Sequence, residues 1–489
     1  MNLGQKIRLW VTPIVGFALC AASIAGKDPL YEQAKKAYDG GKYARALDLF
    51  SQVIGSSPEV STRDRSHYYS GLIFFEQGYY YSSYLSFKTV LQSPDEHNRE
   101  LFEKAIKNAV TIADKLDIVS QLGMILSKLP GALVAPSVAA LNHFTVGVYQ
   151  FSAGNVDEAL SHLKSVSPEN QYYGKALFYL GLLSTKKKEY REAAAFFAKC
   201  IEVSRGNKEK FALQELARLN LARVTYSGGD VERSVELYSQ FLSSSPHWIT
   251  VLLEASWPLM RMNDTTISLG NLHTVTSPFY QDRLVGEAFI LRSTILYNLC
   301  KYEEMRQTLA SFFEIYDPII RGMQAEAGHY SGGESYYNGF VGGKLQPAFL
   351  SYVKRDDGVS RDMKVIELLR TERRQLAKLT RIKQVERIKA KLDDAEKELA
   401  ADMGRVIEKL HQRKLAELTE QREQANYLKV EIVTGEKELI EGQKGLPPKR
   451  VVDVETTIAD GFEFWPFKGE YWEDEMGAYV YTTESACIR

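Results

Sequence analysis

The stretch AKKAYDGGKYARALDLFSQVIGSSP, residues 34–58, sets the pattern that decides how this chain folds. A small residue opens it, a glycine follows, and a tyrosine, a phenylalanine and a proline come after. The stretch GLIFFEQGYYYSSYLSFKTVLQSP, residues 71–94, has the same residue types at nearly the same offsets. Gly41 corresponds to Gly78, and Phe50 corresponds to Phe87. Self-similarity of this kind predicts a repeat architecture.

Further copies of the pattern follow along the first two thirds of the chain. Each copy is opened by a small residue, and these residues are Ala34, Gly71, Gly147, Gly181, Ala222, Ala255 and Ser293. The wide step between Gly71 and Gly147 leaves room for one degenerate pair between Glu100 and Gly131. The pattern therefore predicts about eight helix pairs over residues 27–316.

Each residue type in the pattern has a physical role in a helix–turn–helix unit. Small residues let two helices approach closely, and the glycine ends the first helix in a conformation that other residues resist. The large aromatic residue fills the gap to the next pair, and proline cannot continue the second helix. The pattern resembles the tetratricopeptide repeat family, whose unit is about 34 residues long. The resemblance implies a mostly α superhelical solenoid whose concave surface holds a segment of another protein.

Polar positions on the first helices of the pairs are candidates for that concave surface. They are Tyr68, Asn142, Gln150, Arg218 and Asn220. The alternative is that each is an ordinary solvated helix position.

Residues 1–25 have the pattern of a secretory signal peptide. Lys6 and Arg8 precede an apolar run, and Ser23-Ile24-Ala25 fits a cleavage site of small residues. An uncleaved anchor and a lipoprotein modified at Cys20 are alternatives. The prediction is a periplasmic protein, with association with the outer membrane left open.

Residues 361–443 are almost free of glycine and proline and predict a long coiled-coil helix. Val385, Ile388 and Leu392 begin a seam of alternating three- and four-residue steps. A helical hairpin that reverses at Gly404 is the alternative. The basic stretch RTERRQLAKLTRIKQVERIKAK is either a solvated helix face or a surface for an anionic polymer or lipid headgroup.

Two further segments complete the predicted organisation. Residues 317–360 form a connector with the Gly-rich stretch GHYSGGESYYNGFVGGKLQP, which predicts a loop that acts as a hinge. Residues 446–489 form a small β-rich tail, because VVDVETTI and the segment at Tyr479–Thr483 have the composition of strands. The predicted partner-binding residues lie in this tail, and they are Trp465, Phe467, Tyr471, Trp472, Tyr479 and Tyr481.

The sequence shows no constellation that predicts an enzyme. The eight histidines are scattered without metalloprotease or zinc spacing, and no nucleophile elbow is present. A net charge of -1 argues against a dedicated nucleic-acid binder. Past the signal peptide, Cys200, Cys300 and Cys487 allow one bridge at most, and Cys487 is read as a free thiol or a staple to a partner. No cofactor and no metal are predicted.

These features predict a non-enzymatic periplasmic scaffold for protein–protein interactions in a bacterial envelope complex. The layout resembles exported repeat proteins of envelope machines, such as gliding-motility and outer-membrane assembly complexes. Three alternatives remain: a chaperone or adaptor for exported proteins, an enzyme or regulator of cell-wall polymer, and a brace that self-associates through its coiled coil.

Overall fold

A computed structural model describes residues 28–93, 98–206, 211–379, 382–443, 471–481 and 485–487. The predicted signal peptide, the predicted strand at residues 451–458, Trp465 and Phe467 lie outside the described residues.

Sixteen α-helices of the described residues form eight consecutive pairs, and two or three residues join the helices of each pair. The pairs are α1 (Pro29–Asp39) with α2 (Tyr43–Ser56), α3 (Val60–Glu76) with α4 (Tyr80–Leu91), α5 (Arg99–Lys115) with α6 (Val119–Leu126), α7 (Ala139–Ala153) with α8 (Val156–Lys164), α9 (Tyr173–Lys186) with α10 (Tyr190–Ser204), α11 (Phe211–Ser227) with α12 (Val231–Tyr238), α13 (Trp248–Arg261) with α14 (Thr265–Val275), and α15 (Gly286–Asn298) with α16 (Tyr302–His329). The predicted mostly α array of helix pairs is confirmed.

The turn inside every pair contains one residue with a left-handed backbone. The eight residues are Gly41, Gly78, Asp117, Gly154, Lys188, Gly229, Asn263 and Cys300, and their φ angles lie between 55° and 93°. This conformation ends the first helix and reverses the chain. Glycine adopts it at a lower conformational energy than other residues do. The repeated turn explains the glycines in the sequence pattern.

Small residues face large ones inside the pairs, as the pattern predicts. A Cβ atom added to Gly71 would lie 2.8 Å from the Phe87 ring, and one added to Gly181 would lie 2.6 Å from the Phe197 ring. Phe87 and Phe197 are fully buried. Burial of one such side chain contributes about 1.5–3 kcal/mol, so the match between small and large residues stabilises these pairs.

The connector after the array is mostly helical, so the prediction of a loop for its Gly-rich stretch is wrong. Helix α16 runs on through Pro318 to His329, and two short helices follow, α17 (Gly333–Val341) and α18 (Pro347–Lys354). Tyr336 and Phe340 of α17 are buried. Its glycines serve close packing: a Cβ atom on Gly339 would lie 2.9 Å from the Tyr330 ring.

The last two long helices form a hairpin, but Gly404 is not the point of reversal. Helix α19 (Asp357–Leu376) ends before residues 377–382, and α20 (Lys383–Gln443) is one continuous helix of 61 residues. A Cβ atom on Gly404 would collide with the carbonyl oxygen of Gly333 in α17. Gly404 therefore permits contact between two helix backbones.

Helix α20 packs on the array of its own chain along most of its length. Its first turns contact α2 and α4, and later turns contact α15, α16, α17 and α18. The predicted coiled-coil seam provides the contacts: Val385 and Leu392 join the core of the first pairs, and Leu418 and Ile432 join the core of the last pairs.

Polar contacts fix both ends of α20 on the array. The backbone N–H of Gln384 donates to Ser51 Oγ at 2.9 Å, and Arg306 Nη2 donates to Glu436 Oε1 at 2.5 Å. In the basic stretch, Arg370 pairs with Glu396 of α20 at 2.7 Å. The N- and C-terminal ends of the array are thus connected by one helix.

Candidate partner-binding site at the C-terminal tail

The tail, residues 471–481, lies across α14. The backbone N–H of Gly477 donates to Thr274 Oγ1 at 2.9 Å, and that of Tyr481 donates to the Thr266 carbonyl oxygen at 3.4 Å. Gly270 provides the room, because a Cβ atom there would lie 2.8 Å from the Tyr479 carbonyl carbon. The tail therefore packs on its own array.

Three tail tyrosines surround His273 of α14. Tyr471 stacks on the imidazole with ring centroids 4.7 Å apart, Tyr479 meets it edge-on at 4.6 Å, and Tyr481 lies at 5.8 Å. His273 is only 2% exposed. Burial, aided by the charge of Arg292, lowers the pKa of His273 to about 3, so the ring is neutral at physiological pH.

Arg292 of α15 completes this cluster. Its Nη2 donates to Tyr481 Oη at 2.5 Å, and its guanidinium lies 5.4 Å from the Tyr481 ring centroid. A cation held by both the hydroxyl and the ring face fixes the end of the tail on α15.

A disulfide between Cys300 and Cys487 fixes the chain beyond Tyr481, so the prediction of a free thiol or a staple to a partner is wrong. The two Cα atoms lie 5.0 Å apart. The backbone N–H of Ala486 also donates to the Leu299 carbonyl oxygen at 2.8 Å. Cys300 lies in the left-handed turn between α15 and α16, where its side chain can reach Cys487. The third cysteine, Cys200, is buried and its thiol donates to the Gly174 carbonyl oxygen.

The predicted strand at Tyr479–Thr483 is also wrong, because the part described, residues 479–481, is not a strand. Strands are absent from all described residues. The alternation that suggested a strand is nevertheless present: Tyr479 and Tyr481 both face His273, and Val480 between them is exposed. An extended segment can present alternate side chains to a helix as well as to a sheet.

The predicted partner-binding residues of the tail therefore divide into two groups. Tyr471, Tyr479 and Tyr481 pack internally, whereas Trp472 is 51% exposed. Three more exposed apolar side chains belong to α14, to the segment directly after it and to the tail, and we call the set the tail patch: Ile267, Phe279, Trp472 and Val480. The short 3-10 turn Glu473–Glu475 adds three carboxylates beside Trp472.

The five polar positions predicted for the concave surface do not form one site. Tyr68 is buried and accepts a hydrogen bond from Asn108, and Asn220 donates to the carbonyl oxygen of Leu216 on its own helix. Arg218 lies 6.0 Å from the Phe241 ring centroid. Asn142 and Gln150 both line a cavity beside α7.

Sequence reasoning missed the two histidines in that cavity, His143 and His162. They are 19 positions apart and look unrelated along the chain. The repeat pattern could have identified them, because it places Gly147 of α7 against α8, where an added Cβ atom would contact Leu163 and His162. His143 lies one helical turn before Gly147, on the same face of α7.

No protein-family model and no curated protein matches the chain. Several solved structures are similar to parts of it. The structure of YrrB, described as a TPR protein with an unusual peptide-binding site, is 19% identical, with 39% of this chain and 90% of that chain covered and a TM-score of 0.29. The C-terminal part of a TPR repeat-containing protein from Cytophaga hutchinsonii is 15% identical, with coverages of 50% and 93% and a TM-score of 0.35. The apo form of RapI is 11% identical, with coverages of 53% and 99% and a TM-score of 0.32.

At these scores the likeness extends no further than a shared type of helical packing. The chain's own geometry is more informative: eight helix pairs, a left-handed residue in each turn, and glycines facing large side chains inside the pairs. The array is of the tetratricopeptide-repeat type. Its repeats vary in length, since the left-handed residues are 34 positions apart from Gly154 to Lys188 and 41 apart from Lys188 to Gly229.

Two other features are absent from the described residues. No group of three or more His, Cys, Asp or Glu side chains is placed to hold a metal ion in this part of the chain. Among the described helices, none is long and apolar enough to cross a membrane.

Proposed function

We propose that this protein is an exported, non-enzymatic scaffold of the bacterial cell envelope, and that it binds a partner protein at the tail patch. The observation that carries the proposal is the way the tail is held. A disulfide, backbone hydrogen bonds and the His273 cluster fix the tail on α14 and α15, while Trp472 and Val480 point outward.

A pre-organised patch of this kind is suited to binding. Tryptophan is among the residues that dominate binding energy at interfaces, and a rigid patch loses little conformational entropy when a partner docks. The carboxylates of Glu473, Asp474 and Glu475, which directly follow Trp472, add negative charge to the patch. We therefore expect a partner with an apolar pocket flanked by Lys or Arg side chains.

The array and α20 supply a rigid support for this patch. Helix α20 is buried against both the first and the last helix pairs, so the ends of the array are held at a fixed separation. A scaffold that positions one partner relative to another needs such a frame.

Two features support an extracytoplasmic location. The N-terminal sequence has the pattern of a signal peptide, and disulfides persist mainly in oxidising compartments. Gliding-motility and outer-membrane assembly complexes are the envelope machines that the layout resembles, and they are the first complexes in which to look for a partner.

Co-purification tests the binding site directly. The wild-type chain is compared with the double variant Trp472→Ala, Val480→Ser, which alters the patch and leaves the His273 cluster intact. Tyr427→Ala is the matched control, because Tyr427 is an aromatic residue that is 65% exposed on α20.

We expect one stoichiometric envelope protein with wild type and control, and its loss with the double variant. Equal recovery by all three chains would refute binding at the tail patch. Recovery of many substoichiometric proteins would favour the chaperone alternative.

A further inference from the structure

The link between the third and fourth helix pairs opens a cavity. Residues 127–138 separate α6 from α7 and contain two short 3-10 turns, Gly131–Leu133 and Pro136–Val138. The cavity has a volume of about 400 Å³, and its lining includes the apolar residues Leu126, Leu129 and Val146 and the polar residues Asn142, His143, Gln150 and His162. The proposed function does not use it.

His143 of α7 and His162 of α8 meet at this cavity. Their Nδ1 atoms are 3.1 Å apart and their ring centroids are 5.2 Å apart. In the absence of a ligand one Nδ1 must carry a proton and donate it to the other, because two lone pairs at this distance repel. The same two atoms are also placed to share a metal ion. With metal–nitrogen bonds of about 2.0–2.1 Å, a spacing of 3.1 Å corresponds to a ligand–metal–ligand angle of roughly 98°.

The neighbouring Asn142 provides an independent observation. Its Oδ1 atom is buried and has no hydrogen-bond partner. A buried acceptor without a donor costs about 1–3 kcal/mol. A water molecule bound to a metal ion is a strong donor, and the cavity has room for it.

We infer that His143 and His162 chelate one divalent transition-metal ion, of the zinc or copper class, and that a water on the metal donates to Asn142. Imidazole ligands select these metals over Mg²⁺ and Ca²⁺, which take oxygen ligands. Bound metal would join α7 to α8 at a point where the array departs from regular stacking.

Titration calorimetry with zinc chloride tests the inference on the purified chain without a polyhistidine tag. We expect about one equivalent of zinc per wild-type chain. His143→Ala and His162→Ala should each weaken binding by at least about tenfold, because even second-shell changes at metal sites cost 10–100-fold. His329→Ala is the control, because His329 is exposed and remote in sequence, and its zinc affinity should equal that of wild type.

Thermal unfolding provides a second readout that does not depend on the activity of the protein. Zinc should raise the unfolding midpoint of wild type and of His329→Ala, but not of His162→Ala. Circular dichroism shows whether each variant is folded, and His143→Gln replaces His143→Ala if the latter is not. The inference is overturned if wild type binds neither zinc nor copper, or if all variants bind them equally.

Discussion

Replacing Gly404 by alanine should destabilise the protein, although alanine is the better helix former. In α20 an added Cβ atom would lie 2.5 Å from the carbonyl carbon of Gly333 and 3.0 Å from its Cα, and it would collide with the carbonyl oxygen. All three atoms belong to the backbone, so no side chain can rotate out of the way. Overpacking of this kind costs typically about 1–3 kcal/mol, and a backbone obstacle puts Gly404→Ala at the upper end. The higher helix propensity of alanine offsets about 1 kcal/mol of this cost. We expect a net loss of about 2 kcal/mol.

Gly55→Ala is the matched control, because Gly55 lies in α2 and nothing is within 4 Å of an added Cβ atom there. This substitution should stabilise the protein by up to about 1 kcal/mol. Urea unfolding followed by circular dichroism measures both changes. If Gly404→Ala is as stable as Gly55→Ala, α17 and α20 do not touch backbone to backbone and the packing described for α20 is incorrect.

Three further predictions concern the tail and the hairpin. Cys487→Ser should lower the free energy of unfolding by about 2–4 kcal/mol, which is the usual contribution of a disulfide. It should also speed cleavage of the tail in limited proteolysis. Unchanged cleavage would mean that the bond to Cys300 does not hold the tail. His273, whose pKa falls to about 3 in the folded state, contributes stability that is complete above pH 6.5 and declines as the pH falls toward 3. By pH 5 the loss of stability reaches about 2 kcal/mol. The free energy of unfolding should therefore change less between pH 8 and pH 5 in His273→Gln than in wild type. Parallel pH profiles would contradict the lowered pKa of His273. Glu372→Ala removes the buried carboxylate that accepts hydrogen bonds from two backbone amides at the start of α4. In urea unfolding we expect the free energy of unfolding to fall by about 2–4 kcal/mol, against less than about 0.5 kcal/mol for the control Glu367→Ala at an exposed position. Similar values for both variants would show that Glu372 does not anchor the hairpin.

The turns show how far the sequence determines the array. Gly41 and Gly78 reveal the repeat because glycine adopts the left-handed conformation at little cost. Lys188 and Cys300 take the same conformation at equivalent positions, although neither residue type favours it. The packing of the flanking helices imposes the turn there, so only the neighbouring copies of the repeat identify it.

The C-terminal third shows where sequence patterns reach their limit. The seam through Val385 and Leu392 correctly indicates an apolar helix face, but the spacing does not say which surface covers that face. In the folded chain the array covers it. In the tail, the alternation of Tyr479 and Tyr481 likewise indicates two faces of an extended segment and leaves open whether the partner is a strand or a helix.

The tail patch and the His143–His162 pair were hard to predict for a related reason. His143 and His162 meet only when α7 and α8 of one pair pack together, and the tail patch combines residues of the tail with residues of the array that lie far from it in sequence. Trp472 was identified by residue type alone, whereas Ile267 and Phe279, the other members of the patch outside the tail, belong to the array.

Helix α20 also acts as a molecular ruler. About 52 residues, or on the order of 80 Å at 1.5 Å per residue, separate Gln384, which bonds to Ser51, from Glu436, which pairs with Arg306. Most solenoids can gain or lose a repeat because each repeat contacts only its neighbours. Here an inserted or deleted helix pair would move one anchoring point out of register with α20. The number of repeats in this protein is therefore fixed by the length of a single helix, and its ends should melt together with the middle instead of fraying first.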